Sequence, residues 1–259
     1  IAGTEKYDSL ILSELKNLKL ISRVGVGLDN VDMIEAKKLG IKILNTPEEP
    51  SFGVAEYCLG IFIYFLRDIH LSNLRLKEKN WKRNMSLSLK DAKISLVGGG
   101  RVSKKLMNLL INCGAENIFV TDVADLSLDS DWKKEEVKIV DIKDMYDSDI
   151  ISFHLPLTEK TKNLVDSEFI QKLTNCPFLV NTSRGEIFDE DSIIKAIESN
   201  KVSSVAIDVF KEEPYTGKLL DSNKIITTPH IASTSRSVRY NMELASCKNL
   251  INFFKNYEK

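Results

Sequence analysis

The 259-residue sequence predicts an α/β protein: a doubly wound parallel sheet accompanied by a smaller domain split between the two ends of the chain. Three observations carry that prediction. Nine short β-rich runs alternate with helical patterns, a glycine-rich turn follows one of those runs, and two proline-bearing joints divide the chain. Composition sets the outer bounds. Hydrophobic residues make up 43% and charged residues 28%, the balance of a globular chain rather than a disordered one. With 36 Lys+Arg against 37 Asp+Glu, the formal charge of −1 gives no whole-chain argument for nucleic acid or an acidic membrane.

In chain order, strands are expected at 18–24 and 41–45, both rich in Leu, Ile and Val, and then at 93–98, 117–122, 137–141, 149–155, 177–182, 203–210 and 224–228. The last seven form a continuous series with helices between most of them. The stretch 101–113 is typical of those helices: Val102, Leu106, Leu109, Leu110 and Cys113 share one face, and Gly114 supplies the stop. The first joint is Asn45-Thr46-Pro47-Glu48-Glu49-Pro50-Ser51, followed by one helical stretch over about 52–70. The second is Thr227-Thr228-Pro229-His230, followed by a helix running to about residue 255. Residues 1–50 and 233–259 are therefore expected to form the small split domain and 51–232 the large one, with ligands bound in the cleft between them. Two strands make a thin small domain, and the chain opens on Ile1, so a preceding N-terminal piece is expected.

The longest apolar run, Cys58 to Leu66, is nine residues, too short to span a bilayer. Cys58, Cys113, Cys176 and Cys247 are scattered with no C-x-x-C pair, which argues against a zinc site or disulfide framework and for a reducing, cytoplasmic setting. Charge is uneven: 67–93 carries eight basic and three acidic residues, and 122–149 ten acidic and four basic. No stacking aromatics or DNA-binding module accompany the basic stretch, so both read as solvated faces.

The run Ile94-Ser95-Leu96-Val97-Gly98-Gly99-Gly100-Arg101-Val102-Ser103 is a strand, a glycine turn and a helix start. Such a turn sets backbone N–H groups and the positive end of a helix dipole against a diphosphate. Gly98 permits the tight turn and Gly100 lets phosphates reach the main chain, while Ser103 stands where G-x-G-x-x-G has its third glycine. A Walker A reading fails because no G-K-[ST] follows. Asp122 closes the next strand, where a carboxylate accepts hydrogen bonds from an adenosine ribose. Its charge repels a 2′-phosphate and no Arg or Lys follows in Val123-Ala124-Asp125, which favours NAD over NADP.

Of the three histidines, His70 ends a helical pattern and reads as a cap or exposed residue. His154, in His154-Leu155-Pro156, lies at the carboxyl end of a strand, the edge where open α/β sheets bind ligands. His230 sits at the second joint. Arg184, in Asn181-Thr182-Ser183-Arg184-Gly185, ends another strand, and a guanidinium is a natural fork for a carboxylate. Asp208 interrupts an apolar strand and needs partners, and Glu212-Glu213-Pro214 lies just beyond it.

The order Arg184, Glu213, His230 on a glycine-turn scaffold resembles the NAD-dependent D-2-hydroxyacid dehydrogenase family, nearest to its D-3-phosphoglycerate dehydrogenases, over nearly the whole chain. The resemblance also rests on Arg23-Val24-Gly25-Val26-Gly27-Leu28-Asp29, Asn45-Thr46-Pro47, Val54-Ala55-Glu56, Asp208-Val209-Phe210 and Thr228-Pro229-His230-Ile231. It implies a Rossmann cofactor domain and a flavodoxin-like substrate domain. It implies that His230 exchanges a proton with the substrate hydroxyl, Glu213 orients the imidazole (with Glu212 as the alternative), and Arg184 grips the substrate carboxylate. Gly25 to Gly27 would complete the carboxylate site with Val26 near the nicotinamide. Arg101 and Val102 would meet the diphosphate, Asp122 the ribose, and Leu155 and Pro156 the cofactor through their main chain. Thr182, Ser183, Arg184, Asp208 and His230, with Ile231, Ala232 and Ser233, would surround the nicotinamide half. No metal is implied. The partner is a small 2-hydroxy or 2-keto acid, and a homodimer is expected, with the 58–66 run supplying the contact. The alternative is a non-catalytic NAD(H)-sensing or corepressor-like scaffold on the same fold. Two departures, Ser103 and the Glu48-Glu49-Pro50 turn, bear on cofactor affinity and substrate identity respectively.

Overall fold

The computed structural model describes residues 1–257, and the chain divides into two compact units: 1–53 with 233 onward, and 54–232. In the first unit, α1 (Ser9–Glu14), β1 (Leu20–Ser22), α2 (Met33–Lys38) and β2 (Lys42–Leu44) are joined by the C-terminal helix, Arg236–Tyr257. The two strands pair in parallel with Ile21 opposite Ile43. Asp8 caps α1 through the Ile11 amide and Asp32 caps α2 through the Ile34 and Glu35 amides, each cap stabilising its short helix by about 1 kcal/mol. Leu12, Ile21, Val31, Ala36 and Ile41 form a small apolar core. On the other side of β1 the buried Ser22 hydroxyl meets Ser246 of the C-terminal helix at 2.9 Å.

The helix α3 (Glu49–Leu66) carries the chain from the first unit into the second, so the boundary falls inside a helix rather than at its start. Pro50 is tolerated because it lies in the first turn, where backbone N–H groups have no intrahelical acceptor. The single helix expected over 52–70 is broken. It ends at Leu66, Asp68 adopts a left-handed conformation (φ 50°), and α4 (Ile69–Lys77) begins. Asp68 is held there by side chains that follow it: its carboxylate accepts from Arg75 and the Ser72 hydroxyl in α4 and from the Asn84 amide beyond it.

The second unit is built on β3 (Ile94–Val97), β4 (Ile118–Thr121), β5 (Val137–Ile139), β6 (Ile150–Phe153), β7 (Phe178–Asn181), β8 (Ser204–Ile207) and β9 (Ile225–Thr227). Every pair is parallel and the order is β5-β4-β3-β6-β7-β8-β9, the doubly wound sheet read from the sequence. Interleaved are α5 (Arg101–Asn112), α6 (Ser167–Lys172) and α7 (Glu190–Glu198). Each of β3, β6 and β8 is buried at all its positions, which is why those segments read as unbroken rather than alternating runs. One core layer joins Cys58, Phe62, Leu106, Leu110 and Ile118, and the other joins Phe153, Phe169, Ile187, Ile193 and Ile197.

Along α3, Cys58, Phe62, Phe65 and Leu66 face inward, burying two phenyl rings worth about 2–3 kcal/mol each, whereas Phe52, Glu56, Gly60 and Ile63 form the outward stripe, so Gly60 and Ile63 of the 58–66 run stay exposed. Among the described residues no helix is long and apolar enough to cross a membrane.

Candidate functional site

Because all seven strands run in one direction, their carboxyl ends share one edge, and the strand order reverses between β3 and β6. At that point β3 runs into the glycine turn. Gly98 has φ 103°, and a Cβ there would lie 2.4 Å from the His154 carbonyl oxygen, so only glycine lets the β3 and β6 loops approach this closely. Gly100 is the N-cap of α5, with no side chain capping the helix and open space where its Cβ would be. Asp122, just past β4, accepts the Gly99 N–H at 2.6 Å with one oxygen and the Ala124 N–H at 2.9 Å with the other, fastening the turn to its neighbour strand. The buried Ser103 hydroxyl donates to the Gly98 carbonyl, so serine closes the turn where glycine was expected. An open glycine cradle at a helix start, with a carboxylate at the next strand, fits a dinucleotide diphosphate and ribose.

Downstream loops add the polar groups. Ser183 donates its hydroxyl to the Phe153 carbonyl (2.6 Å) and accepts the Leu155 N–H (3.2 Å), clamping the ends of β6 and β7 together. The buried Asn181 shapes the next turn, accepting from Ser183 N–H and donating to the Arg184 carbonyl at 2.8 Å. Gly185 follows, and a Cβ there would stand 2.2 Å from the Phe210 carbonyl carbon. That contact seats the Arg184 turn directly on the loop after β8. In this second loop the Phe210 N–H donates to Glu213 Oε1 at 3.0 Å, and Glu213 Oε2 lies 3.0 Å from His230 Nδ1. Arg184, Glu213 and His230 thus sit on touching loops at one sheet edge, with Glu213 the residue of the acidic pair that hydrogen-bonds His230. Both side chains are partly open, His230 at 51% and Glu213 at 39%.

The histidines separate by environment. His154 hydrogen-bonds Ser152 Oγ at 3.0 Å through Nε2, and burial pushes its pKa down to about 4, so its ring is neutral. His70 contacts the Tyr64 hydroxyl (3.3 Å) and the Asn223 carbonyl, a structural tie. Asp208, assigned to the nicotinamide by resemblance, is 1% exposed and spends its carboxylate on the joint: Oδ1 accepts from the Thr228 hydroxyl (2.5 Å) and Ile231 N–H (2.8 Å), and Oδ2 from Ala232 N–H (2.8 Å). Val26 and Ser233 belong to the first unit, where the Val26 carbonyl accepts from the Asn45 amide at 2.7 Å and Gly25 takes φ 135°. The other assigned residues, Arg101, Val102, Pro156 and Thr182 included, belong to the second unit. Reading the sequence missed Tyr57, whose hydroxyl lies 2.7 Å from Thr228 Oγ1, and Cys58, whose Sγ is 3.6 Å from Thr182 Oγ1. Their only signal was position on a helix whose inward face looked uniformly apolar.

Comparison with known proteins identifies the family and the fold. The family described as D-isomer specific 2-hydroxyacid dehydrogenase, NAD binding domain, matches residues 59–232. A hydroxypyruvate reductase of Thermotoga maritima is 34% identical over 247 residues, covering 92% of this chain and 79% of its own. A D-3-phosphoglycerate dehydrogenase of Archaeoglobus fulgidus is 31% identical over 266 residues, 98% of this chain but 49% of its own, so this chain spans about half of that relative. The fold is shared with the D-lactate dehydrogenase of Aquifex aeolicus solved with NAD and lactic acid, at a TM-score of 0.87 and 24% identity, covering 98% of this chain and 82% of that one.

Proposed function

The chain belongs to the NAD-binding D-isomer specific 2-hydroxyacid dehydrogenases, and on that premise we propose that it interconverts a D-2-hydroxy acid and its 2-keto acid, with His230 as acid/base. The observation that carries the reading is the 3.0 Å contact between Glu213 Oε2 and His230 Nδ1 on loops that touch the Arg184 turn. A carboxylate at Nδ1 accepts its hydrogen and fixes that tautomer, leaving Nε2 to exchange a proton with the substrate oxygen. Arg184 pairs with the substrate carboxylate and draws charge toward the carbonyl as it is reduced. Gly98, Gly100, Arg101 and Val102 cradle the diphosphate, Asp122 takes the ribose, and Leu155, Pro156, Thr182 and Ser183 border the nicotinamide side. NAD, when bound, supplies the hydride acceptor or donor.

Mixing the protein with NADH and glyoxylate, hydroxypyruvate, pyruvate or 3-phosphohydroxypyruvate, and following absorbance of the reduced cofactor, tests this. Turnover on at least one of them that falls by about 10²-fold or more in His230→Ala is expected. NADH binding without turnover on any would overturn the enzyme reading in favour of a sensing scaffold, and unchanged turnover in His230→Ala would overturn the role of His230. A homodimer is part of the proposal, and a monomeric mass in light scattering would remove it.

A further inference from the structure

We propose that Tyr57 is a positioning residue for His230, acting through Thr228 and Asp208; the inference rests on the acid/base role given to His230. The imidazole is half exposed and its ring has Glu213 as hydrogen-bond partner, so its aim is set largely by its backbone. That backbone is unusual: His230 has φ 54°, the left-handed region that costs a non-glycine residue about 1 kcal/mol and persists only where neighbours over-determine it. Three bonds into the buried Asp208 carboxylate do so, from the Thr228 hydroxyl two residues before and from the Ile231 and Ala232 amides just after. The His230 N–H also donates to the Thr228 carbonyl at 2.9 Å.

Tyr57 closes this arrangement from outside the loop. A threonine hydroxyl has one hydrogen, and a carboxylate can only accept, so Thr228 must donate to Asp208 and must accept from Tyr57. The order Tyr57 O–H to Thr228 Oγ1 to Asp208 Oδ1 is therefore forced. It ties the His230 loop to α3, an element anchored in the core by Cys58 and Phe62. The titratable groups facing His230 or its loop in these contacts are Glu213, Asp208 and Tyr57. Removing the Tyr57 hydroxyl frees the Thr228 side chain to rotate away from Asp208, slackens the loop and loosens the imidazole from Glu213.

The chain has three histidines, so their ring protons can be followed individually by NMR titration, with His70→Gln and His230→Gln giving the assignments. In Tyr57→Phe and Thr228→Val the His230 ring-proton titration curve should depart from the parent's, while those of His70 and His154 stay in place and Thr228→Ser, which keeps the hydroxyl, gives the parent curve. With whichever 2-keto acid is turned over, kcat should drop about 3- to 10-fold in Tyr57→Phe, with KM for NADH unchanged within about two-fold. A His230 titration identical to the parent in both Tyr57→Phe and Thr228→Val would overturn the proposal. Retained turnover in His230→Ala would defeat the acid/base assignment instead, and the titration would still report whether Tyr57 positions the ring.

Discussion

Replacing Gly185 by alanine tests the contact that brings the site together. The new Cβ would stand 2.2 Å from the Phe210 carbonyl carbon, 2.3 Å from Lys211 N and 2.6 Å from Phe210 Cα, all of them backbone atoms that cannot swing aside. Restoring ordinary contact at about 3.4 Å requires the Arg184 turn and the Glu213 loop to part by about 1 Å. A displacement of that size between groups that act on one substrate costs on the order of 10²-fold in kcat/KM, or about 2.7 kcal/mol of transition-state stabilisation. Overpacking adds about 1–3 kcal/mol of lost stability, a fall in Tm of roughly 2–10 °C. The glycine cradle before α5 is untouched, so NADH affinity measured by fluorescence should hold within about three-fold of the parent. Steady-state kinetics, a cofactor titration and a thermal melt on one preparation are sufficient. Parental kcat/KM at parental Tm would refute the claim that these loops touch, and a loss confined to NADH binding would refute the assignment of roles.

Other expectations follow from single environments. His154 has a folded pKa of about 4 against an ordinary 6.5, so on acidification the unfolded chain takes up the proton first. Stability is full above about pH 6.5 and falls by up to about 3 kcal/mol by pH 4, and urea unfolding at pH 7 and pH 5 should show a loss that His154→Asn largely removes. Cys58 is fully buried and its thiol is pushed up to about 12, whereas Cys113, Cys176 and Cys247 are exposed. Thiol titration should find three reactive cysteines in the native protein and the fourth only in denaturant; four fast thiols would contradict the packing of α3. Asp122→Ser removes the acceptor that holds Gly99 and the charge that opposes a 2′-phosphate. NADH affinity should weaken about 10-fold while the preference for NADH over NADPH narrows, and an unchanged preference would show that Asp122 does not face the ribose.

The sheet was legible because burial on both faces leaves apolar runs that need no context: Ile94-Ser95-Leu96-Val97 and Ile150-Ile151-Ser152-Phe153 announce themselves, and each observed strand lies inside its expected range. The glycine turn and Asp122 were legible for the same local reason. What escaped notice depends on side-chain partners that the local pattern does not reveal. The break at Asp68 needs Arg75 and Asn84. Tyr57 and Thr228 are separated by 171 residues, and nothing in Val54-Ala55-Glu56-Tyr57 distinguishes a hydrogen-bonding tyrosine from a packing one. Asp208 stood out as a carboxylate in an apolar strand, but its hydrogen bonds to Thr228, Ile231 and Ala232 depend on the fold of residues 228–232. The inward turn of Phe62 and Phe65 was hidden because α3 is apolar nearly all round.

The uniform direction of β3 to β9 leaves the molecule with two unlike rims. The groups proposed for catalysis and nucleotide binding in this unit lie at the rim where strands end, while the opposite rim holds connections that enter them, such as Gly114 after α5 and Asn200 after α7. Chemistry and plumbing are thereby kept apart. Peptide insertions, affinity handles or relocated termini grafted at the exposed positions 113–114 or 199–200, short of the buried Ala115 and Val202, would sit at the rim opposite the proposed site, which makes those turns the natural places to re-engineer this unit.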